Sequence, residues 1–204
     1  MKINAAIVIA AALAAAAPTF AQTGAPGAPV AARVLPGNYK VDKNHTQVVW
    51  TVNHLGISPL SGAFTAKEGT LELDPKKPAD AKVSVTFNVA DMTSSVPAFT
   101  KHLSSADFFD VEKFPTAAFT STSVKATGTT AKITGNLTIK GVTKPVVLDA
   151  KFYGAGPNPQ SKNLNVGFSA IAAIKRSDFG LTYAAPLVPD QVELRIAAAF
   201  EKVG

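Results

Sequence analysis

Three histidines, His45, His54 and His102, are the only side chains of this 204-residue chain whose ordinary ionisation falls near neutral pH. Three imidazoles can hold zinc, but these spacings match no compact ligand motif, and no HExxH pair accompanies them. Cysteine is absent, which excludes disulfides, thiolate metal sites and cysteine nucleophiles. No GxSxG elbow, no GxGxxG after a strand and no phosphate loop occurs. The carboxylates Asp91, Asp107, Asp110 and Asp178 stand apart from one another. Asp107 and Asp178 lie in loop motifs, SSADFFD and RSDFGL, where an aspartate accepts backbone N–H bonds; Arg176 can pair with Asp178 or meet a polar group. His54 is the most suggestive polar residue. It shares a strand phase with Val48, Trp50 and Val52, so it either faces inward at a strand end or bonds the backbone of the Leu55–Pro59 turn. In an enzymatic reading, His54 or His102 would serve as the acid or base.

So little chemistry directs attention to the elements around it. Residues 1–21 hold a charged Lys2, an apolar run from Ile3 to Ala17 and small residues before Gln22, the pattern of a cleaved secretory signal peptide. Residues 22–37 mix Ala, Gly and Pro without periodicity and read as a flexible leader that buries no face. Residues 38–204 are long enough for one domain with its own core. The net charge of +6 comes from dispersed lysines rather than a basic run, which argues for solubility and against nucleic acid as a partner. The same charge would draw the protein weakly to anionic membrane surfaces.

From Tyr39 onward apolar and polar residues alternate with period two between Gly, Pro, Asn and Asp clusters. Ala131, Ile133, Leu137 and Ile139 share one face of a strand ending at Lys140. After a Gly141–Lys144 turn, Val146, Leu148, Ala150 and Phe152 share a face of the next. Val83, Val85, Phe87 and Val89 do the same, as do Val166, Phe168, Ala170, Ala172 and Ile174, and Val192 to Phe200. With Leu71 and Leu73, and with strands near 44–54 and 117–124, the total is about eight strands.

Eight half-apolar strands without covering helices close on themselves to remove their edges, which predicts an all-β, eight-stranded antiparallel barrel. A barrel of that size is either filled by side chains or admits one slender ligand. Alanines at 131, 150, 170, 172 and 198 permit a tunnel, or face bulky partners and leave none. The rhythm breaks at Asp91–Pro115. There Val96-Pro97 suits a helix start and Phe99 with Leu103 has helical spacing, so one or two short helices are expected over a barrel mouth. Phe108, Phe109 and Phe114 would plug that end or touch a ligand.

Four stretches, YKVDKNHTQVVWTVNHLGISPLSGAF from Tyr39, HLSSADFFDVEKFPTAAFTSTSV from His102, GNLTIKGVTKPVVLDAKF from Gly135 and KRSDFGL from Lys175, resemble the YceI-like family of periplasmic polyisoprenoid-binding proteins. The resemblance covers roughly Tyr39 to Glu201. It implies a lipocalin-like barrel whose interior takes a long isoprenoid chain, a quinone being one headgroup, in a family associated with lipid carriage, stress and quinone metabolism. Where family members usually carry arginine and aspartate before the HL motif, this chain has Phe99, Thr100 and Lys101; Lys175 replaces a common asparagine, and AAPLVPD replaces a glycine-rich stretch. These departures concern the headgroup end.

The expectation is a periplasmic, non-enzymatic carrier, monomeric or homodimeric, with an isoprenoid lipid or quinone as ligand and no metal or other cofactor. Its ligand-binding residues would be Val48, Trp50, Val52 and His54 on one strand, with Phe64 from the SPLSGAF stretch and Phe87 and Val89 on the next face. Leu137, Ile139, Phe168 and Ile174 would continue the lining, and Phe99, His102, Phe108 and Phe179 would meet the ligand at the helical end. Two other readings compete: an enzyme acting on a lipid or small apolar substrate with His54 or His102 as acid or base, and a filled barrel serving as an interaction module.

Overall fold

A computed structural model describes residues 24–203. The signal-peptide reading of residues 1–21 lies outside that range. Nine strands form one antiparallel sheet: β1 (Gly37–Val41), β2 (Gln47–His54), β3 (Ser58–Leu73), β4 (Lys82–Ser94), β5 (Thr116–Thr127), β6 (Thr130–Ile139), β7 (Val142–Pro157), β8 (Leu164–Lys175) and β9 (Gln191–Lys202). A single α-helix among the described residues, α1 (Pro97–Ser104), lies between β4 and β5. No helix among them is long and apolar enough to cross a membrane.

Each strand from β2 to β9 pairs with its sequence neighbours, and β9 returns to β2 with Val48 opposite Ile196 and Trp50 opposite Leu194. That closes an eight-stranded barrel. The ninth strand is no extra stave, because β1 pairs with the far ends of β3 and β9 and so prolongs β2. The break at Asp42–Thr46 is mended by one side chain. Thr46 Oγ1 donates to the Ala199 carbonyl (3.1 Å) and accepts the Ala199 N–H (2.9 Å), replacing the missing rungs of the ladder.

Two sequence boundaries move. The turn between β6 and β7 is Lys140–Gly141, so β7 starts at Val142 and takes in Val142–Lys144, which read as part of the turn. The leader, expected to bury no face, is docked from Pro26 on. Ala28 exchanges backbone hydrogen bonds with Ala155 of β7 (3.1 and 2.9 Å), a short 3-10 turn follows at Ala31–Arg33, and Val34 is buried in the core beside Tyr39, Leu71, Val166 and Phe200. Composition hid this because the contact is made by backbone. A Cβ at Gly156 would stand 2.2 Å from the Pro26 carbonyl oxygen, so only glycine lets the strap lie so close.

Tyr39 pins the same strap: its buried phenol donates to the Leu35 carbonyl at 2.5 Å. Burial raises the Tyr39 phenol above its ordinary value. The folded state therefore keeps a proton that the unfolded chain sheds, so this contribution to stability is complete below about pH 10 and is lost as pH rises through the folded value. Tyr39→Phe should cost about 1 kcal/mol near neutral pH. It should also flatten the alkaline fall in stability, which urea unfolding in neutral and alkaline buffer would measure.

Candidate functional site

The inward faces of all eight staves enclose a cavity of about 250 Å³. Its lining on β6 runs from Ala131 to Ile139, about 27 Å of strand at about 3.4 Å per residue, or roughly 20 Å along the axis once strand tilt is allowed for. A round pocket of that volume would be small even for a drug-sized ligand, for which about 300 to 1,000 Å³ is usual. Spread over that length, the void is a slender tunnel. Alanine makes the room: Ala117, Ala131, Ala150, Ala170 and Ala198 line it where larger side chains would meet across the middle.

The wall is apolar almost throughout. Thr46 is its buried hydroxyl, and that oxygen is already committed to Ala199. Lys151 is the one charged residue in the lining and is itself exposed. Apart from Lys151, no titratable side chain among the described residues lines the tunnel, and no group of three or more His, Asp or Glu among them could hold a metal ion.

One end of the tunnel is sealed. Under α1, Trp50, Val52, Met92 and Leu103 are buried together, and Phe64 meets Phe109 edge to face at 5.5 Å. On the other side of that end, Phe179 is only 1 % exposed and plugs the barrel beneath β6, β7 and β8 against Leu137 and Val146. Arg176, itself buried, holds this plug. Its guanidinium donates to the carbonyls of Leu181 (2.6 Å), Tyr183 (2.8 Å), Val188 (2.7 Å) and Pro189 (3.0 Å), fixing the whole β8–β9 connection. Asp190 completes the clasp by accepting from the Ser177 hydroxyl (2.7 Å) and N–H (2.8 Å), bonds that hold its carboxyl below the usual range.

The opposite end is open. There the lining includes exposed residues: Pro78 of the β3–β4 connection, Gly128, Thr129 and Thr130 at the β5–β6 turn, and Lys151 of β7. The helix therefore covers the barrel as expected, but the end it covers is the closed one.

The residues nominated from sequence divide along this axis. Val48, Phe64, Phe87, Val89, Leu137, Ile139 and Phe168 line the tunnel. Trp50, Val52 and Ile174 have the right phase but lie beyond the tunnel, packed into the seal. Phe99 and Phe179 are part of the seal; Phe99 packs on Trp50 at 6.4 Å. His102 lies edge-on to Phe108 and to Tyr183, each at 5.0 Å, with Nε2 3.4 Å from Asp107. His54 is exposed at the end of β2 and does not face the interior, and His45 pairs with Asp42 at 2.6 Å on the surface. The three histidines share no site. Of the three phenylalanines after α1, Phe109 reaches the tunnel, Phe108 joins the His102 cluster and Phe114 approaches Gly141.

Phe119, Phe152, Leu71, Leu194 and Ile196 line the tunnel without having been nominated. Their signal is period-two alternation on their own strands: Phe152 follows Val146, Leu148 and Ala150 on β7, Leu194 and Ile196 lie on the Val192–Phe200 face of β9, and Leu71 alternates with Leu73.

The profile of the YceI-like domain matches residues 39–200. Protein YceI of Salmonella arizonae is 45% identical over 161 residues, 78% of this chain and 84% of its own. Among solved structures, Burkholderia cenocepacia BcnA superposes with a TM-score of 0.66 at 25% identity, covering 78% of this chain and 98% of its own. A polyisoprenoid binding domain from Saccharophagus degradans, implicated in plant cell wall breakdown, superposes at 0.60 with 13% identity, over 81% of this chain and 98% of its own, a likeness of fold alone.

Proposed function

The chain belongs to the YceI-like family, and from that premise we propose that it is a carrier that shelters one long isoprenoid chain, as a polyprenyl quinone or a polyisoprenoid, inside its barrel. The observation that carries this reading is the tunnel itself: long, thin, open at one end and apolar along its length, its polar lining confined to Thr129, Thr130 and Lys151 at the mouth and to Thr46, whose hydroxyl is bonded to Ala199. Tail burial supplies the affinity. Each methylene contributes about 0.8 kcal/mol, so roughly fifteen carbons give a gross gain on the order of 12 kcal/mol. Lost translational and chain freedom offset a large part of that gain. The amino-terminal signal pattern points to the periplasm as the working compartment.

Native mass spectrometry of protein from its own host should reveal a bound lipid, and protein freed of it should take up ubiquinone-10. A bare apo mass together with no quinone uptake would overturn the reading. The competing enzymatic reading needs His54 or His102 near a bound substrate, yet neither lines the tunnel. His54→Gln combined with His102→Gln should leave quinone uptake within about twofold of the wild type, a change under about 0.5 kcal/mol. Loss of uptake would restore a ligand role for these histidines.

A further inference from the structure

The two ends of the barrel differ in charge as well as in closure. The elements around the opening carry Lys76, Lys77, Lys82, Lys125, Lys132 and Lys151 against Glu72, Asp74, Asp80 and Asp149. Part of that acid is already engaged: Glu72 binds Lys82 at 3.3 Å, Asp149 binds Lys132 at 2.5 Å, and Asp74 accepts the Lys76 N–H at 2.9 Å. The ammonium groups of Lys76, Lys77, Lys125 and Lys151 are exposed, and no carboxylate among the described residues forms a salt bridge with them. Leu35 on the strap and Val203 after β9 add exposed apolar surface at the same end.

The sealed end is close to balanced. It carries Asp107, Asp110, Glu112, Asp178 and Asp190 against Lys101, Lys113, Lys140, Lys144, Lys175 and the buried Arg176, and the charges are interspersed: Lys113 binds Asp110 at 3.1 Å, Lys175 and Arg176 act on Asp190, and Lys140 Nζ lies on the Ala106 carbonyl. A negatively charged surface therefore attracts the open end, with its unpaired lysines, more strongly than the sealed one.

We infer that the open end docks on an anionic phospholipid bilayer through Lys76, Lys77, Lys125 and Lys151, so that the tunnel mouth faces the lipid and an isoprenoid chain passes between bilayer and barrel without crossing water. This rests on the carrier reading and names the partner of its tunnel. The field around each lysine fades within a Debye length, so docking is sensitive to salt and reversible, as exchange requires.

Flotation of the full chain with vesicles tests the inference without any ligand. The protein should float with phosphatidylcholine vesicles containing phosphatidylglycerol, should not float with phosphatidylcholine alone, and should detach as salt is added. Lys76→Glu, Lys77→Glu, Lys125→Glu and Lys151→Glu together should weaken binding by at least about tenfold, while Lys101→Glu with Lys113→Glu at the sealed end should not. Thermal unfolding of both variants checks that they remain folded. Equal flotation of the two variants, or of the wild type on both kinds of vesicle, would overturn the proposal. Failure to float on either would also overturn it, leaving an acidic protein as the occupant of this end. Ubiquinone-10 uptake from dilute detergent, run in parallel, keeps the two readings separate: uptake without lysine-dependent flotation removes only the docking, and absent uptake removes the carrier.

Discussion

Ala170→Phe should abolish quinone uptake while the protein stays folded. Ala170 points into the tunnel from β8, opposite Ala150 on β7 and Ile196 on β9, about midway along the strand. A phenyl ring there occupies space now empty, so the overpacking penalty of a filled core, about 1 to 3 kcal/mol, should be largely avoided. For the ligand the result is different. Stopping one isoprene unit of five carbons short of its seat forfeits about 4 kcal/mol of transfer energy, enough for a drop of at least about a hundredfold in affinity. Ala173→Phe is the control, because Ala173 is exposed on the outer face of the same strand. The measurement is ubiquinone-10 retained after gel filtration, with thermal unfolding alongside. An Ala170→Phe protein that binds like the wild type would mean that the chain lies elsewhere.

Arg176→Ala should be the most damaging single truncation at the sealed end. The guanidinium serves four carbonyls from one buried position, and its removal leaves them to find water or go unpaired. Charge-assisted bonds contribute about 1.5 to 3 kcal/mol each in favourable settings, but the connection can partly open to solvent, so a net loss of about 3 kcal/mol is expected. Arg176→Lys should recover less than half. An ammonium keeps the charge but lacks the planar fork that reaches carbonyls on both sides. Urea unfolding gives the energies, and hydrogen exchange at the Leu181 amide, which donates to the Arg176 carbonyl at 3.1 Å, reports whether the plug has loosened. Equal stability of the alanine and lysine variants would show that charge and geometry do not matter here.

Alternation made most of the barrel legible from residue order. Ile133, Leu137 and Ile139 announce β6 because one face of that strand is dry and the other wet, and the same logic exposes β4, β8 and β9. What stayed hidden has physical causes. β3 runs sixteen residues, but Pro59, Gly62 and the Lys67-Glu68 pair interrupt its pattern; Gly62 is there because the Trp50 ring occupies the place of a Cβ, 2.3 Å away. The strap from Pro26 is illegible in residue order because a backbone bridge and two bare glycines, Gly154 and Gly156, make most of its contact with β7, and neither leaves a side-chain period. Phase in a strand told which residues face inward but not how far along the axis they sit. Trp50, Val52 and Ile174 therefore share the phase of the tunnel wall although they pack beyond its inner end, and residue order alone does not tell which barrel end α1 leaves open.

The meeting of β2 with β9 has a consequence for how the molecule is made. The first and last staves are about 145 residues apart in sequence, and this seam alone converts the meander into a cylinder. Until Gln191–Lys202 arrives, β2 and β8 each offer a bare row of amides and carbonyls, the template on which unfinished chains stick to one another. Such distant pairing belongs to the slow class of folders, with formation times of milliseconds to seconds. Newly made protein is therefore most vulnerable to aggregation just before its carboxy-terminal strand zips in, and a holding chaperone should act on it in that interval.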